Sequence, residues 1–223
     1  IALEHNLLHQ QLRETKQEAA KLRRRLNEVE ESRGSAKPAS ELVEEYLTGQ
    51  STDAPRHLVL TSEYPRRQKE VRTSVLHQRI KRYQSAGVGV DIICSGVSEK
   101  ASIVELDGVR ILEGRDAEIA SVLAQRSYTS VSVHFLTPAI WAALEPFLPT
   151  LDVHIFVHGR ETSRWVRKIP TYEDGTQLEH GMRHSIESQF FWHKVLNHQY
   201  PPKSYIFRSD WWRRACGDDL RNA

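Results

Sequence analysis

Val131–Ser132–Val133–His134–Phe135 and Asp152–Val153–His154–Ile155–Phe156–Val157–His158–Gly159–Arg160–Glu161 are two short β-branched and aromatic runs, each with a histidine at its end. A helix-length segment, Pro138 to Phe147, separates them. Strand, helix and strand in that order is a βαβ unit, which pairs its strands in parallel. In open parallel sheets the residues just past the strand carboxyl ends line the ligand crevice, so His134 and His158 are expected side by side on that rim.

Outward from this unit the alternation continues. His57–Thr61 reads as a buried strand. A loop Ser62–Arg67 leads to an amphipathic helix, about Gln68 to Ser85, with Val71, Val75, Leu76, Ile80 and Tyr83 facing inward and Gly87 ending it. Val88–Cys94 is the next strand. Ser102–Leu106 and Val109–Leu112 flank Asp107–Gly108, a hairpin turn signal. Ala117–Arg126 and Gln177–Asn197 read as helices, and Ser204–Arg208 as a last strand entering a helix at Ser209. The expected fold is α/β, a Rossmann-like, mostly parallel sheet with flanking helices, occupying residues 56–223.

Residues 1–33 lack Gly and Pro. Ile1, Leu8, Thr15, Leu22 and Val29 alternate with His5, Leu12, Ala19 and Leu26 at heptad spacing, so an amino-terminal coiled-coil helix and a homo-oligomer are expected. A solvated single helix is the competing interpretation. Residues 34–55 read as a linker holding one short helix capped by Ser40. The chain starts at Ile1 and stops at Ala223 just inside a helix pattern, which suggests a piece of a longer protein.

The 223 residues carry a formal net charge of +2, which gives no electrostatic case for nucleic acid. No apolar run is long enough for a membrane span and no signal-peptide pattern is present. The expected location is the cytoplasm, including the inner face of its membrane. Cys94 and Cys216 form no metal motif or disulfide framework and are expected to be reduced. His180 and His184 share a helix face but lack a third ligand, so no metal site is expected. Phe190, Phe191 and Trp192 are expected to pack, with aromatic anchoring of a ligand as the minor alternative.

Four loops follow strand ends in this scheme and converge on one edge. They supply Glu63, Tyr64, Arg66, Arg67, His134, Thr137, His158, Gly159, Arg160, Glu161 and Trp211 as candidate binding residues. The first loop has no glycine, so a dinucleotide fingerprint is excluded. Arg66, Arg67, Lys69 and Arg72 cluster where a helix starts, against its dipole. That placement suits an anionic ligand group or a merely solvated turn. Gly159 would let a ligand approach the backbone, and the following amides would open a helix whose end holds an anion. His158 there can donate to a substrate hydroxyl or stabilise charge, or simply cap the loop; Glu161 can be a first-turn acid.

The order of these motifs resembles the amino-terminal half of GT-B glycosyltransferases of family 4. The similar segments are Glu63–Tyr64–Pro65, the helix with Arg79–Ile80–Lys81–Arg82–Tyr83, Gly87 with Val90–Ile93, the Val157–Glu161 turn, and Ser204–Arg214. The resemblance implies transfer of a sugar from a nucleotide-sugar donor, with retention and without metal or cofactor. The acceptor, a glycan or lipid-linked sugar, would sit on this half. A carboxyl-terminal domain would hold the donor, and this half alone would not turn over. His158 matches the residue expected to face the donor sugar, and Arg66, Arg67 and Arg72 would grip an anionic acceptor. The glycine-rich turn usual after the first strand is missing. The rival class is a non-catalytic coiled-coil scaffold with a Rossmann-like domain that docks a partner; a flavodoxin-like domain is weaker, since no acidic cluster follows the first strand.

Overall fold

The computed structural model describes residues 38–49, 56–65, 74–96, 100–159, 161–162 and 164–221. The expected coiled coil over 1–33 lies outside these residues, as do Arg66, Arg67, Arg72 and Arg160. Among the described residues seven strands form one sheet: β1 (Arg56–Thr61), β2 (Gly89–Ser95), β3 (Ser102–Leu106), β4 (Val109–Gly114), β5 (Ser130–His134), β6 (Val153–Val157) and β7 (Ser204–Phe207). Their order is β3-β4-β2-β1-β5-β6-β7, and every neighbouring pair is parallel except β3 with β4. With the edge strand β3 set aside, the parallel strands follow the doubly wound Rossmann-like order, which reverses between β1 and β5. The usual helix between the second and third parallel strands is replaced by the β3–β4 hairpin. Its turn has positive φ at both Asp107 (50°) and Gly108 (76°), the geometry that Asp–Gly supplies.

Strand alternation sends two sets of side chains to opposite faces. Leu58, Leu60, Val131, Val133, Ile155 and Val157 pack beneath α1 (Ala39–Thr48), α3 (Asp116–Gln125), α4 (Pro138–Leu144), α5 (Gly175–Leu196) and α6 (Asp210–Arg221). Val59, Val90, Ile92 and Ile111 pack on the other face against Leu76 and Ile80 of α2 (Ser74–Ser85). Leu76, Ile80 and Tyr83 lie at i, i+4 and i+7, one line of the helix. Val75 is off that line and 69% exposed, contrary to its expected inward position.

The domain begins earlier than the expected boundary at Arg56. Ala39–Ala223 folds as one unit, and α1, expected in a linker, contributes Val43, Tyr46 and Leu47 to the main core. Its attachment is polar as well. The β2–β4 ladder starts only at Ile93, so the backbone of Ile92 meets no strand on that side. The Tyr46 hydroxyl fills the gap, accepting from Ile92 N–H at 2.7 Å and donating to Ile92 C=O at 3.1 Å. Beside it, fully buried Asp91 accepts from Arg56 Nε (3.0 Å), Arg126 Nη1 (3.1 Å) and the Tyr128 hydroxyl (2.9 Å). Arg126 also donates to Leu47 C=O, which ties the end of α1 to the same cluster. A buried carboxylate survives only with such compensation. Among the described residues no helix is long and apolar enough to cross a membrane. Cys94 and Cys216 are both buried, and neither is in a disulfide among the described residues.

Candidate functional site

The sheet's reversal between β1 and β5 splays the loops that follow these two strands, and a crevice opens there. Thr61 and His134 are register partners, so Ser62 emerges opposite Phe135. The Ser62 hydroxyl donates to Phe135 C=O at 2.9 Å and ties the two loops together. Buried Thr61 steadies the first loop, its hydroxyl donating to Glu63 C=O (2.7 Å) and accepting from Glu63 N–H (3.2 Å). On the second loop Thr137 caps α4, accepting from Ile140 N–H at 3.3 Å ahead of Pro138 at the helix start.

A cavity of about 440 Å³ lies in this crevice on the α5 side of the sheet. The β1 loop gives it Ser62 and Glu63, and the β5 loop gives Phe135, Leu136, Thr137 and Pro138. Glu161 comes from the turn after β6; α5 adds His184, Glu187, Ser188, Phe191 and Trp192. Of the candidates read from sequence, Glu63, Thr137 and Glu161 therefore meet in one cavity. From α5 the sequence offers Phe191 and Trp192 only as the minor alternative to packing; the part played by His184, Glu187 and Ser188 was not anticipated. Its signal is the spacing His184, Glu187, Ser188, Phe191, which is i, i+3, i+4, i+7 and marks one helix face.

The turn after β6 is pinned from three sides. Glu161 Oε1 accepts from His158 N–H at 3.0 Å, so the chain's own carboxylate closes the turn on itself. Glu161 C=O accepts from the Ser188 hydroxyl and from Trp192 Nε1. Thr162 is buried and donates to Cys216 Sγ at 2.9 Å. Glu161 and Thr162 form a turn, and the next helical element among the described residues is a 3₁₀ segment, Trp165–Thr171. Gly159 has φ +91° and lies beneath Trp212, whose ring would stand 2.5 Å from an added Cβ. Backbone sign and the indole each require glycine here. The tryptophan on this turn is Trp212 rather than Trp211, which is 62% exposed and meets Trp212 edge-on at 5.0 Å.

His134 and His158 do come together, with Nδ1 of His134 3.2 Å from Nε2 of His158. Their setting differs from the expected open rim. His134 is only 3% exposed and stacks on Phe156 at 4.2 Å, with the Arg79 guanidinium 4.5 Å above the same ring. Its strand position gives it to the α2 face, away from the cavity. Half-buried His158 stacks on Phe135 at 4.0 Å, and Phe135 in turn lines the cavity, so this ring partitions the two. Phe135 holds φ +52°, a conformation that bulky residues adopt only when their surroundings enforce it. Burial pushes His134 down to about 3, with the nearby His158 adding to the shift. Burial also pushes His158 down to about 4, assisted by Arg208 and Arg79. Both rings are neutral at physiological pH, each with one N–H to donate.

Tyr64 turns away from the crevice. Its hydroxyl contacts His77 Nδ1 at 2.8 Å, and burial against α2 raises its pKa. Among the described residues no group of three or more His, Cys, Asp or Glu side chains is placed to hold a metal ion. Comparison with protein-family models, with curated proteins and with solved structures yields no match for this chain.

Proposed function

We propose that the chain is the acceptor-binding half of a GT-B glycosyltransferase, which moves a sugar from a nucleotide-sugar donor to a glycan or lipid-linked acceptor. The observation that carries this reading is the cavity of about 440 Å³ at the reversal point of the sheet. Its size lies within the ~300–1,000 Å³ of small-molecule sites, and its position is where doubly wound sheets bind ligands. Its lining combines hydroxyl-accepting carboxylates (Glu63, Glu161, Glu187) with aromatic surface (Phe135, Phe191, Trp192), a mixture suited to a polyhydroxylated molecule. Neutral His158 stands one aromatic ring away and is bonded through its backbone to Glu161. In this reading a second domain presents the nucleotide-sugar, and the imidazole N–H of His158 faces that donor rather than the cavity, donating to a hydroxyl of the donor sugar or to developing negative charge.

The test supplies UDP- and GDP-sugars to the product of the complete gene and follows donor hydrolysis and sugar transfer. Turnover is expected, with His158→Ala lowering it on the order of 10²-fold, the usual effect of removing one preorganised donor. Absence of turnover with every donor sinks the reading; full activity in His158→Ala removes the role given to that residue.

A further inference from the structure

We infer that the inward face of α5 is a pyranose-binding subsite, on which Phe191 covers the apolar face of a sugar ring while Glu187 and His184 bind its hydroxyls. This rests on the glycosyltransferase reading only for the identity of the sugar as acceptor; the recognition chemistry is that of the cavity itself. His184, Glu187, Ser188 and Phe191 repeat at i, i+3, i+4 and i+7, and all four line the cavity. Such a stripe on a helix that covers a sheet is normally apolar and buried. Here it is apolar and buried only further along, at Trp192 and Val195.

At the crevice the stripe turns polar. His184 and Glu187 are exposed, and neither makes a hydrogen bond or ion pair with another described residue. Ser188 and Trp192 are already committed, both donating to Glu161 C=O, which fixes the helix against the turn after β6. The stripe is therefore firmly mounted, with its two titratable side chains unclaimed by any described residue.

A carboxylate is an acceptor only, and an imidazole both donates and accepts, so the pair complements adjacent sugar hydroxyls, each of which donates and accepts. Phe191 is half-buried against the core and shows the rest of its surface to the cavity. A flat ring beside fixed polar groups fits the two-sided character of a pyranose, whose C–H face is apolar and whose rim is hydroxylated. An extended apolar ligand would leave Glu187 desolvated without a partner, which disfavours it.

The experiment titrates the full chain with glucose, mannose, galactose, N-acetylglucosamine and their disaccharides, read by saturation-transfer NMR and calorimetry. Glu187→Gln and Phe191→Leu are made alongside, with circular dichroism and thermal melts to establish that each is folded. The expected result is binding of at least one sugar, weakened about tenfold or more by each variant, since a buried hydroxyl partner or aromatic face is lost. Glu187→Gln replaces only an exposed carboxylate and keeps the interpretation open should Phe191→Leu unfold.

Failure of all these sugars to bind, or binding that both folded variants leave unchanged, overturns the subsite. Sugar binding that depends on Glu187 in a protein that transfers nothing keeps the subsite and removes the transferase reading. Transfer whose acceptor KM is untouched by Glu187→Gln keeps the transferase and removes the subsite.

Discussion

His134 Nδ1 lies 3.2 Å from His158 Nε2, a hydrogen bond between two imidazoles that are both held neutral. The bond needs one proton between the facing nitrogens, and a second would place two N–H groups head to head. Burial sets the folded values at about 3 for His134 and about 4 for His158, below the ordinary 6.5. Between pH 6.5 and about 4 the unfolded chain therefore binds protons that the folded chain refuses, so stability falls as pH drops through that window and is flat above it. His57, also pushed down to about 4 by burial and His154, adds in the same direction. Thermal melts from pH 8 to pH 4 check this. A His158→Gln variant is expected to show a shallower decline; a profile rising toward acid contradicts the neutral pair.

Gly159→Ala is expected to destabilise the domain by about 1–3 kcal/mol, the cost of forcing a side chain into a sparsely allowed backbone region. The new methyl group also meets the Trp212 ring, so tryptophan fluorescence should change with it. Urea unfolding gives the answer. Unchanged stability would mean that the turn does not hold its positive φ in solution.

Tyr46→Phe removes one oxygen and leaves the N–H and C=O of Ile92 without their hydroxyl partner. The expected loss is about 1–3 kcal/mol, as for a buried polar group orphaned by truncation of its partner. A loss near zero in urea unfolding would mean that α1 is not a working part of the domain.

The heptad pattern of residues 1–33 predicts self-association, measurable as molar mass by sedimentation. The chain is expected to sediment as a dimer or trimer, and the same chain without residues 1–33 as a monomer. Equal masses for the two contradict the pattern.

The strand and helix order was readable because Gly, Pro and Asp–Gly punctuate runs of clear period, as at Gly87 and Asp107–Gly108. The place of α1 was not, because an inward face of only Val43, Tyr46 and Leu47 between two linker-like stretches carries too little periodicity. The meeting of His134 with His158 followed from parallel register, but register does not reveal how far each ring sits from the rim. Phe135 falls at a positive φ that no residue type announces, and it is this ring that separates the imidazoles from the cavity. Trp211 and Trp212 differ by one step around a helix, about 100°, and sequence alone does not fix that phase. The α5 stripe was hidden because His184 and Glu187 read as solvent-facing until the crevice is in place.

The account depends above all on a sugar ligand occupying the crevice between the β1 and β5 loops. Backbone chemical-shift mapping of the isotope-labelled chain during titration with a bound saccharide tests this most directly. Perturbations centred on Ser62, Glu63, Thr137, Glu161 and Glu187 are the predicted result. Perturbations confined to the opposite edge of the sheet, around Arg56, Asp91 and Tyr128, or none with any saccharide, would contradict it.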